Sequence, residues 1–508
     1  MSRQLTVGRL LTVAAHTVPK QKAACCEDQV LTYETLNQRA LHLAGWLQGQ
    51  GISHDDKVAF LMKNSLEYYE IFFGVALSGG VGVPLNFRLS PNEIVYNVTN
   101  SDSQILVIDE EFVDMVASIR HQLPLVREIV VITDKEISAG WKYSAIFETP
   151  FAYKEVFIND NDDCMIMYTS GTTGRPKGAI LSHKNLVANT QNITSVSTLT
   201  GESRQIIVAP LFHIAAIGTS LGSFLVKGTV FVQRQFDPVT ILETMQKEKI
   251  TQIFLVPAMW RAILSVPNIG SYDLSSMESC ALGADKAPAS LKEAILKTFT
   301  NAKLAESFGQ TEMSPVTTHL KGDDAIRKSS SVGKPIMNVE VRIVDEQMND
   351  VPIGEVGEIV YRGPTMMKGY YKLPEATEEA FRGGWFHSGD LVMMDDEGFV
   401  YVMDRKKDMI ISGGENIYPA EIEAVLSGHE GIMEVAVVGV PDEKWGESVK
   451  AYVVLKPSYT LTDQDVIKYC REHLASYKRP KIVEFIDILP RNASGKILKH
   501  TLRETIQK

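Results

Sequence analysis

The chain is poor in cysteine, short of positive charge and without any long apolar run. Its five cysteines (Cys25, Cys26, Cys164, Cys280 and Cys470) are scattered over 508 residues with no C-x-x-C pair. That pattern excludes a disulfide framework and a thiolate zinc site, and it suits a reducing, cytoplasmic setting. No uninterrupted apolar stretch approaches the roughly 20 residues of a membrane span. The mildly apolar stretch 5–18 is broken by Arg9 and His16 and reads as a short helix rather than a signal peptide. A transient contact with a membrane surface stays open. Lys+Arg number 51 against 62 Asp+Glu, a net charge of −11, so no nucleic acid partner is expected. Neither a fixed-period repeat nor a low-complexity tract is present.

What is present is an ordinary globular composition, 44% hydrophobic and 22% charged. The length allows two to four domains or subdomains. Through about residue 400, short apolar runs alternate with helix-period segments. Residues 105–108, 129–132, 206–208, 230–232 and 253–256 read as buried strands, and Leu36, Ala40, Leu43 and Leu47 share one helical face. The expected fold class is therefore α/β, with layered subdomains built on mainly parallel sheets. From Asp404 the text changes. A charged run, 404–408, precedes strand-like runs at 435–440 and 451–455 and a helix-period stretch at 464–474. A small α+β domain is expected there. That segment, 404–508, holds 16 Lys+Arg and 16 Asp+Glu, so the acidic excess lies entirely upstream. Its stretch 478–499 is locally basic: either a place to meet an anion or a solvated loop.

Four polar or glycine-rich loops directly follow strand-like runs. They are Thr169-Ser170-Gly171-Thr172-Thr173-Gly174, then Pro210-Leu211-Phe212-His213, then Gly283-Ala284-Asp285, and then Glu306 through Phe308-Gly309-Gln310-Thr311-Glu312. Ligands of open α/β sheets bind beyond the carboxyl ends of strands, so one shared cleft is expected. The first loop is the most informative. Its glycines let backbone N–H groups turn toward an anion, its hydroxyls add donors, and Lys177 adds charge. The spacing is not that of a Walker A loop, because Pro176 precedes the lysine. A Ser/Thr/Gly surface turn is the bland alternative; the preceding strand and the lysine weigh against it.

This segment resembles the signature of the adenylate-forming (ANL) superfamily. Matching blocks follow in order: Phe308 to Glu312, Gly384 to Asp390, Asp404 to Asn416, and Pro490 to Lys496. The resemblance is greatest to bacterial fatty acyl-CoA synthetases. It implies a large ATP- and acyl-binding domain, 1–406, and a small mobile domain, 407–508. It also implies an AMP-forming acid–thiol ligase that uses ATP, Mg²⁺ and coenzyme A. A medium- or long-chain fatty acid would be activated to an acyl-adenylate, and the acyl group would then pass to the coenzyme A thiol with release of AMP. An aryl-CoA ligase of benzoate, cinnamate or succinylbenzoate type is the alternative. A non-catalytic nucleotide-binding relative is the alternative of another class. A homodimer is compatible with either.

The same resemblance assigns roles. Thr169, Ser170, Gly171, Thr172, Thr173, Gly174 and Lys177 would cradle phosphates. Gly283, Ala284, Phe308 and Gly309 would line the nucleotide, with Phe308 stacking on adenine where relatives carry Tyr. Thr311 would meet the α-phosphate and Glu312 would hold Mg²⁺, a cation that prefers oxygen ligands. Asp390 and Arg405 would take the ribose; a carboxylate can accept from both hydroxyls of a cis-diol. Lys496 would bridge the carboxylate and the α-phosphate. His213, Gly218 and Gly309 would border the acyl group, and His213 stands where amino-acid-activating relatives carry an aspartate. Lys407 matches the hinge. Gly413, Gly414 and Glu415 would line the pantetheine tunnel. Ile411 stands where luciferases carry a lysine, so the oxidative half-reaction of luciferases is not expected.

Overall fold

A computed structural model describes residues 5–137, 139–148, 150–169, 175–285, 287–413, 415–491 and 497–504. The chain packs as two compact units, Met1–Val341 with Tyr361–Phe386, and Arg342–Val360 with His387–Lys508.

The first unit is built on a nine-stranded and an eight-stranded sheet. In the larger, Arg204–Ile207, Gln252–Leu255, Ser279–Gly283 and Lys303–Gly309 run parallel side by side. Parallel neighbours end on the same edge, so three of the four candidate loops leave one edge of one sheet. Val316–Lys321 then returns antiparallel to Lys303–Gly309. In the other sheet, Lys57–Leu61, Val81–Pro84, Ser103–Asp109 and Glu128–Ile132 are parallel, with Asp163–Thr169 beside Val81–Pro84. Lys177–Ser182 turns back antiparallel to Asp163–Thr169, and Gly369–Tyr370 pairs antiparallel with Lys177–Ser182. The strands expected from apolar runs all form. They are continuous runs because both sheet faces are covered: Ala59, Leu61, Leu106 and Ile166 are all sealed from water.

The helices begin where local chemistry tells them to. Tyr33–Gly49 starts at Thr32, whose side chain accepts from the Thr35 N–H, and it buries Leu36, Ala40, Leu43 and Leu47. Val7–Thr17 is the short helix expected near the start. His183–Val196 opens with a reciprocal Ser182–Asn185 cap. Its asparagines at positions 185, 189 and 192 recur at helical spacing and are buried. Asn185 Nδ2 donates to the Pro364 carbonyl, Asn189 Nδ2 to that of Val316 at 2.9 Å, and Asn338 Nδ2 to Asn192 Oδ1. This helix thus fastens three remote loops by their polar groups.

The second unit carries most of a four-stranded sheet, in the order Glu340–Val344, Val356–Arg362, Phe386–Met394, Val400–Arg405. Its other sheet is led by the hairpin Ile432–Asp442 and Gly446–Leu455. The helices Pro419–Leu426 and Asp463–His473 supply Ile422, Leu426, Val466 and Cys470 to the core around that sheet. This grouping differs from the boundary expected at 406/407. Residues 342–360 and 387–406 pack with the C-terminal residues, and the reason is polar as well as apolar. Glu358 accepts from the Gly389 N–H and from Lys406, the Ala420 N–H donates to Asp404, and Arg503 pairs with Asp408. Asp404 and Asp408 are accordingly buried, and only Lys407 of the charged run is exposed.

Four cations of the basic stretch are paired within this unit, while Lys496 lies outside the described residues. Lys478, Lys481, Arg491 and Lys499 each face a carboxylate of this unit: Glu421, Asp442, Glu434 and Glu423. The compensating acids lie upstream in sequence, which made the stretch look unbalanced.

Candidate active site

In the first unit, Thr169 ends its strand and Lys177 opens the next, and the two are register partners. The Thr169 hydroxyl donates to the Lys177 carbonyl at 3.3 Å. Ser170, Gly171, Thr172, Thr173 and Gly174, between them, lie outside the described residues. The Lys177 ammonium stands 5.0 Å from the centre of the Tyr370 ring. The Tyr370 hydroxyl donates to Glu312 Oε1 at 3.0 Å. Burial, and then the Glu312 charge, push the Tyr370 pKa up, so its O–H stays a donor at neutral pH. The lysine expected at the phosphates and the carboxylate expected at the metal, 135 positions apart in the chain, therefore share one tyrosine.

Glu312 and Thr311 belong to a single 3₁₀ turn, Thr311–Met313, and Glu312 is only 8% exposed. Two backbone bonds brace this turn: Met367 N–H to the Glu312 carbonyl at 2.8 Å, and Gln310 N–H to the Pro315 carbonyl at 2.9 Å. Asn189 reaches the Met313 and Val316 carbonyls from the helix beneath. Among the described residues, Glu312 Oε2 accepts no hydrogen bond. A buried carboxylate held by one oxygen and open at the other fits a hard divalent cation such as Mg²⁺.

The residues expected to line the nucleotide lie at the neighbouring strand ends. Gly283 and Ser307 are register partners, and a Cβ on Gly283 would fall 2.6 Å from the Ser307 carbonyl oxygen. Ala284 follows with φ +66°, exposed, a conformation that costs a non-glycine residue roughly 1 kcal/mol. Phe308 is half-buried, and its carbonyl accepts from the Thr317 hydroxyl. Beneath these ends, Lys292 and Glu306 form an ion pair at 1% and 7% exposure. Ser307 Oγ lies 3.0 Å from His319 Nδ1, and burial holds the His319 pKa down at about 4.

Of the residues expected at the acyl group, His213 is half-buried at the start of the helix Ile214–Val226, with its ring 4.3 Å from that of Phe212. Phe212 in turn meets Phe87 edge-on. Gly218 and Gly309 converge on Pro315. A Cβ on Gly218 would lie 3.2 Å from Pro315 Cδ, and one on Gly309 would lie 1.9 Å from the Pro315 carbonyl oxygen. Backbone contact thus already requires glycine at 309.

In the second unit, Asp390 and Arg405 are register partners on adjacent strands, joined by Arg405 Nε and Asp390 Oδ1 at 2.9 Å. Asp390 is 3% exposed, and its N–H donates to Ser388 Oγ. Glu358 supports the turn before it by accepting from the Gly389 N–H and from His387 and Lys406, all at 3.1 Å. Burial pushes the Glu358 pKa up, but the bonds from His387 and Lys406 outweigh it and leave it below the usual carboxylate range. Gly413 has φ +62° and donates its N–H to the Trp445 carbonyl, and a Cβ there would meet the Trp445 ring at 2.7 Å. Glu415 is exposed at the start of the strand Glu415–Ile417. Gly414 and Lys496 lie outside the described residues.

The first unit thus brings Lys177 and Glu312 together through Tyr370, and the second brings Asp390 to Arg405. Sequence reading missed Tyr370, Asn189, Pro315, Glu358 and Lys292. A hollow of about 420 Å³ in the first unit, lined by Gly45, Gln48, Phe151 and Phe157 among others, contains none of the expected residues.

Residues 11–371 match the model of the AMP-binding enzyme family, and residues 421–496 match that of the AMP-binding enzyme C-terminal domain. The chain belongs to this family. It is 40% identical over 474 residues to a feruloyl-CoA synthase of an Amycolatopsis species, covering 93% of each chain. It is 35% identical over 502 residues to the long-chain-fatty-acid–CoA ligase FadD13 of Mycobacterium tuberculosis, covering 98% of each. Among solved structures it resembles the anthranilate CoA ligase AuaEII in complex with anthranoyl-AMP (TM-score 0.90, 27% identity, 99% and 98% coverage). It also resembles the O-succinylbenzoate coenzyme A synthetase of Bacillus subtilis in complex with ATP and magnesium ion (TM-score 0.87, 30% identity, 98% and 99% coverage). The AMP-binding chain is an ATP-dependent acid–thiol ligase of the acyl- or aryl-CoA type, with ATP, Mg²⁺ and coenzyme A as its cosubstrates and metal. None of its described helices is long and apolar enough to cross a membrane.

Proposed function

We propose that the first unit joins a carboxylic acid to AMP through the constellation Lys177–Tyr370–Glu312. The observation that carries this reading is the single tyrosine touching both charged groups. The chemical difficulty is that a carboxylate must approach a polyphosphate, and two anions repel. Lys177 supplies fixed positive charge beside the loop 170–174, whose backbone N–H groups and hydroxyls suit phosphate oxygens. Glu312 would hold a divalent cation, which would supply charge neutralisation at the phosphates. Thr311, next to it, hydrogen-bonds the α-phosphate. Asp390 receives the ribose hydroxyls, with Arg405 holding its carboxylate in place. Lys496 provides the ammonium that offsets repulsion most strongly in the transition state.

The second half-reaction passes the acyl group to the coenzyme A thiol, releasing AMP. Gly413, Gly414 and Glu415 line the path of the pantetheine arm. The chain swings at Lys407, the exposed residue of an otherwise anchored run, and moving 407–508 against 1–406 releases the Ala420 N–H from Asp404.

For the acid, an aromatic carboxylate of cinnamate type is the reading best supported. The 40% relative bears that activity in its name. The first expectation, a medium- or long-chain fatty acid, is the second reading, supported by the 35% relative. AMP release with and without coenzyme A, run over ferulate, cinnamate, benzoate, octanoate and palmitate, separates the two. A kcat/KM for cinnamate-type acids at least about tenfold above that for palmitate, roughly 1.4 kcal/mol in transition-state binding, is expected. The reverse order establishes the fatty-acid reading instead. No carboxylate-dependent AMP release with any acid overturns both.

A further inference from the structure

Tyr370 has no role in the expectations drawn from sequence, yet it touches two residues of the constellation. It lies on Gly369–Tyr370, a two-residue strand that pairs, among the described residues, with the strand that Lys177 opens. The register sets Tyr370 opposite Ala179. Its backbone N–H donates to Thr377 Oγ1 at 2.9 Å, and the Lys368 N–H just before it donates to the Ile180 carbonyl. These bonds hold the backbone at residues 368 and 370. From there the hydroxyl reaches Glu312 Oε1. The ring presents its negative face to the Lys177 ammonium 5.0 Å away.

We infer that Tyr370 is a positioning residue for the adenylation reaction, orienting the Glu312 carboxylate toward a divalent cation through its hydroxyl and holding the Lys177 ammonium through its ring. The inference rests on the proposed function, because it takes Glu312 as the cation ligand. Its logic is that of a ligating carboxylate whose second oxygen is tied: the tie removes rotamers in which the free oxygen points elsewhere. The two effects are separable in this residue. Tyr370→Phe removes the tie to Glu312 and keeps the ring under Lys177. Tyr370→Leu removes both.

The test measures Mn²⁺ binding by electron paramagnetic resonance, on the full-length enzyme with a non-hydrolysable ATP analogue present. Binding of the analogue without metal is followed in parallel by calorimetry. Tyr370→Phe is expected to weaken Mn²⁺ binding by roughly tenfold, the effect of one charge-assisted hydrogen bond, and to leave metal-free analogue binding unchanged. Tyr370→Leu is expected to weaken metal-free binding as well, by roughly three- to tenfold. Mn²⁺ binding at wild-type strength in Tyr370→Phe overturns the hydroxyl role. Metal-free binding at wild-type strength in Tyr370→Leu overturns the ring role. Glu312→Gln is the control on the underlying reading. If Glu312→Gln loses Mn²⁺ and Tyr370→Phe does not, only the inference fails; if Glu312→Gln binds Mn²⁺ normally, the metal assignment itself fails. Thermal melting of Tyr370→Phe within a degree or two of wild type is expected, and a collapse of the melt would mark the tyrosine as a structural residue and overturn the assignment.

Discussion

Lys292 and Glu306 are paired in the interior of the first unit, one residue before the strand end that carries Ser307 through Glu312. Lys292 also donates to the Ser329 carbonyl. Burial pushes the Glu306 pKa up, and Lys292 opposes it. Such a pair adds little net stability, but breaking it leaves one charge stranded. Lys292→Met is therefore expected to destabilise the first unit by about 3–5 kcal/mol. The double change Lys292→Met with Glu306→Leu should recover most of that loss. Urea midpoints of the three variants check this, and a double variant no more stable than the single one would contradict it.

Two histidines make the fold acid-sensitive. Burial holds both His183 and His319 down at about 4, below the ordinary 6.5. Between those values the unfolded chain binds protons that the folded chain refuses, so stability falls as pH drops from 6.5 toward 4. Above 6.5 the contribution is complete. Each histidine adds a limiting slope of about 1.4 kcal/mol per pH unit in that window. Urea unfolding followed from pH 7 to 4.5 measures it. His319→Asn should flatten the profile by one proton, and an unchanged slope would contradict the assignment.

Asp390 and Arg405 predict a signature in the nucleotide. Asp390→Asn keeps the shape but loses charge and one acceptor, and should weaken ATP binding by about 1–2 kcal/mol. With 3′-deoxyATP, wild type and variant should differ by much less, because one hydroxyl contact is already gone. Calorimetric titration of both nucleotides reads the difference directly. Equal losses for the two nucleotides would place Asp390 away from the ribose.

Much of this molecule was legible in its sequence, and the illegible parts share a cause. Buried strands announced themselves as apolar runs, because sheets covered on both faces select Val, Ile and Leu throughout, as at 105–108 and 253–256. The loops followed, since each lies directly after such a run. What escaped were residues whose meaning depends on a remote partner. Asn185, Asn189 and Asn192 read as polar positions on a helix; only the folded chain supplies the Pro364, Val316 and Asn338 groups they hold. Tyr370 reads as a β-propensity residue until Glu312 is placed beside it. The cations at 478–499 look unbalanced because their partners Glu421, Glu423, Glu434 and Asp442 precede them by 39–76 positions. Gly309 and Gly413 were recognised as special for the space they leave to a ligand. Packing gives each a nearer reason, the Pro315 carbonyl and the Trp445 ring.

The central claim is that one ammonium serves only the adenylation half of the reaction. Lys496→Ala therefore provides the most direct measurement: carboxylate-dependent ATP–pyrophosphate exchange, set beside thioester formation from a preformed acyl-adenylate. Exchange should fall by roughly 10²–10³, the loss typical of one transition-state charge contact, while thioester formation stays within a few-fold of wild type. Exchange at the wild-type rate, or equal loss of both half-reactions, would contradict the account.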